Sequence, residues 1–87
     1  MEYKLQVSEE LDRIFSKLTK KNKKQLQIIN KKIQQIMENP YHFKPLRGDR
    51  HGSRRVHIDK SFVLTYEVDE EKRIVRLLDF DHHDHIY

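Results

Sequence analysis

Half-way along this chain the spacing of apolar side chains changes from a helical repeat to a strand repeat, and few architectures accommodate that change within 87 residues. Leu11, Ile14, Phe15 and Leu18 fall at i, i+3, i+4 and i+7, and Leu26, Ile29, Ile33, Ile36 and Met37 form a second stripe of the same period. Beyond a loop over 41–52 that contains Pro45, Gly48 and Gly52, three runs at 53–58, 61–68 and 72–79 read as strands, separated by Asp59-Lys60 and Asp69-Glu70-Glu71. Another strand-like stretch comes first, where Tyr3, Leu5 and Val7 alternate with Glu2, Lys4 and Gln6 over 2–7.

Local signals bound the helices. Ser8 suits an N-cap, and Glu9 and Glu10 complement the positive end of the helix dipole, which predicts a first helix over 9–18. A polar, lysine-rich break at 19–24 follows, in which Asn22 with Gln25 three residues on has the spacing of a second start. Asn39-Pro40 ends that helix, since the residue before proline is pushed out of the helical region. Two helices with one apolar stripe each need a sheet to cover. The order β-α-α-β-β-β therefore predicts an α+β fold, an antiparallel four-stranded sheet with the N-terminal helical hairpin packed on one face, in a single domain spanning 1–87.

Composition narrows the function classes. Hydrophobic residues make up 36% and charged residues 37%, a small core inside a heavily charged surface. The net charge of +4 and pI near 9.4 favour an anionic partner, nucleic acid first and an acidic protein second. The chain has no cysteine, which excludes disulfides, zinc-thiolate sites and thiol catalysis. No apolar run approaches the roughly 20 residues that cross a bilayer, and the first seven residues do not resemble a signal peptide, so a cytoplasmic protein without a membrane partner is expected.

Strand phasing directs particular side chains. If Val56 and Ile58 face the helices, Arg55 and His57 project together from the open face of the sheet. Phe62, Leu64, Tyr66 and Val68 form one set on the next strand, with Val63, Thr65 and Glu67 on the other. In the last strand Ile74, Val75, Leu77 and Leu78 populate both faces, which suggests a second covered face, for instance under a partner peptide.

The terminal Asp81-His82-His83-Asp84-His85-Ile86-Tyr87 is the densest titratable cluster. Imidazoles there suit proton transfer near neutral pH, a metal site from Asp81, His82, His83 and His85 is an alternative, and a solvated tail is the plainest. The heptad is expected to leave the last strand at Asp79-Phe80. If that strand lies inside the sheet, the tail can return over the open face and bring His83 to His57, Lys44 and Arg47.

Taken together, these segments resemble the RelE/ParE superfamily of type II toxin-antitoxin toxins, and within it the RelE, YoeB and YafQ branch. The similarity covers nearly the whole chain. It rests on the first strand, the helical hairpin, Lys44-Pro45-Leu46-Arg47-Gly48, Arg55-Val56-His57, Phe62-Val63-Leu64-Thr65-Tyr66 and the terminal His82-His83-Asp84-His85-Ile86-Tyr87. Val63 stands where the family often has arginine, and Ser61 where YafQ-like sequences are acidic.

The resemblance implies a ribosome-dependent messenger-RNA endonuclease, held by a cognate antitoxin and contacting mRNA in the ribosomal A site and ribosomal RNA. By position, His83 matches a terminal histidine of YafQ-like and YoeB-like enzymes, His57 a basic or histidine site, and Tyr87 a terminal aromatic. Lys44 precedes the turn where some relatives place a catalytic histidine. No metal and no cofactor is implied, because the 2'-hydroxyl of RNA is the nucleophile.

Such cleavage needs a base, an acid and cations for the phosphate. His83 and His57 are expected to exchange the protons, Arg55, Lys44 and Arg47 to hold the phosphate, and Tyr87 to stack on a base or orient the scissile nucleotide. Arg54 and Lys60 are further candidates for RNA contact. Lys23 and Lys24, with Lys20 and Lys21, form either a solvated helix junction or a docking point for ribosomal RNA. Two other readings remain: a ParE-like inhibitor of DNA gyrase without nuclease activity, and an inactive relative that only binds antitoxin.

Overall fold

The computed structural model describes residues 2–43 and 53–82. Among them the elements are β1 (Lys4–Val7), α1 (Glu9–Lys21), α2 (Lys23–Glu38), β2 (Ser53–Ile58), β3 (Phe62–Asp69) and β4 (Ile74–His82). The expected element order holds. Among the described residues no helix is long and apolar enough to cross a membrane.

α1 begins where the Leu11 N–H donates to the Ser8 hydroxyl oxygen at 3.1 Å, with Glu9, Glu10 and Asp12 in the first turn. It runs three residues past its expected end, and Lys20 and Lys21 lie in the last turn, where cations oppose the negative end of the dipole. The expected six-residue break contracts to Asn22. Its backbone N–H donates to the Leu18 carbonyl at 2.9 Å, while its side-chain oxygen accepts from the Gln25 N–H at 3.0 Å. A single residue thus closes one helix and opens the next.

The strands order as β1-β4-β3-β2, which places β4 inside the sheet, the condition for a tail that returns over it. β2, β3 and β4 form an antiparallel meander, but β1 pairs with β4 in parallel, from Lys4 opposite Ile74 to Val7 opposite Leu77. The sheet is therefore mixed, which corrects the antiparallel expectation. Alternation along a strand is the same in either kind of sheet. Direction depends on the long connection: the helical hairpin carries the chain from β1 to β2 at the far edge in the same direction, and two antiparallel steps then leave β4 parallel to β1.

The turns explain the shifted strand ends. Asp59 and Arg73 adopt positive φ, 57° and 56°, at the β2–β3 and β3–β4 turns. The Asp69 carboxylate accepts from the Lys72 N–H at 3.0 Å, so the second turn extends to Arg73 and β4 starts at Ile74. β4 also continues to His82, pairing Asp81 with Val63 and His82 with Phe62. Asp81 and His82 are strand residues, contrary to the expectation that the tail departs at Asp79-Phe80.

The core lies between the helical hairpin and one face of the sheet. Leu11, Ile29 and Ile36 from the helices meet Val56, Ile58, Leu64, Tyr66, Val75, Leu77 and Phe80 from the strands, with Ile14, Phe15, Leu18, Ile33 and Met37 packed around them. Phe80 stacks on Phe62 at 5.2 Å and meets the edge of Phe15 at 5.9 Å. A register shift at Thr65/Tyr66 explains the two-faced appearance of β4. Thr65 opposes Asp79 while Tyr66 opposes Leu77, so Leu78 is the extra residue of a bulge and remains exposed. Val75, Leu77 and Phe80 consequently share the core face, although strict alternation would set Phe80 against the other two.

Candidate functional site

β2 carries the alternation expected of it. Val56 and Ile58 are buried and His57 is exposed, because Val56 and Ile58 face the helices. The register then lays out the face of the sheet away from the helices in rows. His57 opposes Val63, which opposes Asp81; Arg55 opposes Thr65, which opposes Asp79. Val63 is fully buried. At the other end of this face Arg76 is paired with Glu67 at 3.4 Å and Asp69 at 3.0 Å, and donates to the Gln6 side chain at 2.7 Å.

Beside β2, at an edge of the sheet, a cavity of about 440 Å³ is lined by Lys32, His42, Phe43, Arg55, Val56 and His57. Of the residues expected to act, His57 and Arg55 come together here. The described lining holds two cations and two imidazoles and no carboxylate, which makes it a potential anion site. Sequence pattern does not single out His42, Lys32 or Phe43. They reach the cavity from α2 and from the turn after it, and no periodicity signals such an approach.

That turn is tightly held. The buried Tyr66 hydroxyl donates to the Pro40 carbonyl at 2.7 Å, and the Arg54 guanidinium donates to the Phe43 carbonyl at 2.7 Å while lying 5.0 Å from the Tyr41 ring centroid. The Tyr41 N–H donates to the Asn39 side chain at 3.2 Å, and the His42 N–H to the Asn39 carbonyl at 3.1 Å. Tyr41 also donates to Glu70, which accepts from Tyr3 at 2.9 Å and pairs with Arg73. The hydrogen bond to Glu70 is the main cause that pushes the Tyr41 phenol up to about 12, and burial pushes Tyr66 up to about 12. Hydrogen bonds from Tyr41 and Tyr3 hold the Glu70 carboxyl below the usual glutamate range.

The remaining expected residues distribute unevenly. Arg54 lies on the helix-facing side, where it anchors Phe43 and Tyr41. Lys60 is exposed in the β2–β3 turn, and Lys23 and Lys24 are exposed in the first turn of α2; none of the three lines the cavity. Lys44, Arg47, His83 and Tyr87 lie outside the described residues, as does the closure of the tail over the sheet. Of the alternative metal set, Asp81 and His82 lie in β4, and His83 and His85 are outside the described residues.

Residues 1–87 match the family described as the ParE toxin of type II toxin-antitoxin systems, parDE. The chain belongs to this toxin family. A Methanocaldococcus jannaschii protein named "Putative toxin RelE4" is 49% identical over 85 residues, spanning 98% of this chain and 90% of its own. An uncharacterized protein of Methanosarcina mazei is 54% identical over 85 residues, spanning 98% and 99%. Among solved structures, a doubly substituted form of the E. coli toxin RelE in the free state is similar with a TM-score of 0.74 and 25% identity, over 98% of this chain and 87% of that one. The YoeB/ParE toxin from Agrobacterium tumefaciens gives 0.78 and 17% over 92% and 98%. A chain of the intact E. coli RelBE toxin-antitoxin complex gives 0.74 and 24% over 92% and 95%. The toxin family and the RelE-like fold expected from sequence are thus established.

Proposed function

We propose that this toxin-family chain, read as a single domain, is a metal-independent endoribonuclease that cleaves mRNA in the ribosomal A site and is held inactive by a cognate antitoxin. The observation that carries the reading is the shared cavity of His57 and Arg55, an imidazole and a guanidinium on neighbouring outward positions of one strand. The similarity of the fold to a toxin chain from the RelBE toxin-antitoxin complex supports an antitoxin partner.

The chemistry follows from these groups. One imidazole takes the proton of the 2'-hydroxyl as the O2'–P bond forms. An imidazolium gives a proton to the departing 5'-oxygen as the P–O5' bond breaks, leaving a 2',3'-cyclic phosphate and a free 5'-hydroxyl. His57 fills one role and His83 the other; Arg55, Lys44 and Arg47 stabilise the phosphate charge, and Tyr87 stacks on a base.

The test is induction of the toxin without antitoxin, following cleavage of ribosome-bound message and DNA supercoiling in the same cells. Message cleavage with unchanged supercoiling is expected, and His83→Ala should abolish it. Altered supercoiling with intact message would replace this reading by gyrase inhibition. No effect on either would leave an inactive antitoxin-binding relative.

A further inference from the structure

Arg55 and His57 account for only part of the lining of the cavity beside β2. Lys32, His42 and Phe43 line it too. Lys32 is half-buried on α2, and its ammonium lies 5.8 Å from the centroid of the Phe43 ring. The His42 ring meets the same phenylalanine edge-on, 5.0 Å between centroids and 81° between planes. Phe43 therefore orients a cation and an imidazole at once, through the cation–π attraction on one side and the edge contact on the other.

This part of the lining is also held in place by the core and by β2 and β3. Phe43 packs on the core, its carbonyl is held by Arg54, and the carbonyl of Pro40 is held by the buried Tyr66 hydroxyl. Side chains that are pre-positioned lose less rotamer freedom on gripping a ligand, which favours binding. His42 also borders a smaller cavity of about 260 Å³ with Gln35, Glu38 and Asn39. Of the two cavities, the larger is the one that His42 shares with Lys32, Arg55 and His57.

We propose that Lys32 and His42, oriented by Phe43, are a second phosphate-binding pair in this cavity and hold the phosphate that neighbours the scissile one in a single-stranded RNA. The choice of RNA as ligand rests on the endoribonuclease reading above. The pair grips and positions; the proton transfers remain with the other groups.

A single-stranded RNA hexamer carrying 2'-O-methyl groups is the probe, since it binds without being cleaved. Titrated into the full chain, it should move the NMR signals of both the His42 and His57 imidazoles, a readout that needs no substitution. Lys32→Gln should weaken binding about tenfold and reduce the slope of log affinity against log salt by about 0.7, the share of one neutralised phosphate on a single strand. Arg13→Gln, which removes the same charge from α1 outside the cavity, should leave the affinity as it was.

A His42 signal that stays in place while His57 moves would overturn the proposal. So would a Lys32→Gln protein with the affinity and salt slope of the parent, or a parent protein that does not bind the hexamer. The nuclease reading fails separately: a chain that binds the hexamer in this way yet leaves ribosome-bound message intact keeps the subsite and loses the nuclease activity.

Discussion

His57 and Tyr66 stand for two kinds of residue in this fold, one exposed for chemistry and one buried for support. His57 is exposed on β2 and makes no contribution to the core, so His57→Ala should preserve the melting temperature. It should lower message cleavage by about 10²- to 10⁴-fold, the range for one positioned acid or base, as measured by single-turnover cleavage on ribosomes. Tyr66 contributes through its hydroxyl as well as its ring. Tyr66→Phe leaves the Pro40 carbonyl without its buried donor and should cost about 1–3 kcal/mol in urea denaturation.

The same tyrosines give a pH signature. In an unfolded chain both phenols ionise near 10, whereas in the fold Tyr41 and Tyr66 are pushed up to about 12. The folded state therefore keeps protons that the unfolded state loses, and stability present below pH 10 should be lost as pH rises through about 12. Melting curves across that interval should show the decline, and Tyr66→Phe should make it shallower. Glu70 acts at the opposite end, its depressed value giving stability that is lost only on acidification below the usual glutamate range.

At the scale of elements, the bulge in β4 decides which side chains reach the core. Deleting Leu78 would remove the extra residue and leave Phe80 two positions after Leu77, so that plain alternation alone would keep Val75, Leu77 and Phe80, the three residues that β4 gives to the core, on one face. The shortened chain should therefore keep cooperative unfolding, as judged by circular dichroism and thermal melting. Leu78→Ser keeps the extra residue and removes only a side chain that is 43% exposed, so it should shift stability by less than about 1 kcal/mol. Alternation in β2, which has no bulge, directs His57 correctly from sequence alone. In β4 the apolar residues look two-faced because sequence pattern carries no mark of where a register shift falls.

For the whole molecule, a second basic cluster lies outside the cavity. Lys20, Lys21, Lys23 and Lys24 are all exposed around Asn22, at the joint of the helical hairpin. If that joint meets ribosomal RNA, the doubly substituted Lys23→Gln/Lys24→Gln protein should bind ribosomes with a shallower dependence on salt, by about 0.7–0.9 in log–log slope for each phosphate no longer neutralised. Co-sedimentation with ribosomes across a salt series measures it, and an unchanged slope would assign these lysines to solvent alone.

Periodicity and capping residues determined the element order, the two helical stripes and the outward direction of Arg55 and His57, because each depends on neighbours within a few residues. The antiparallel expectation failed for β1, since strand direction is set by the long connection rather than by any local pattern. His42 and Lys32 met His57 only in three dimensions: they stand 15 and 25 positions before it in the chain, and packing of α2 and its following turn on the sheet brings them together. Local stereochemistry wrote the elements into the sequence, and the convergence of side chains on the cavity was decided by tertiary packing.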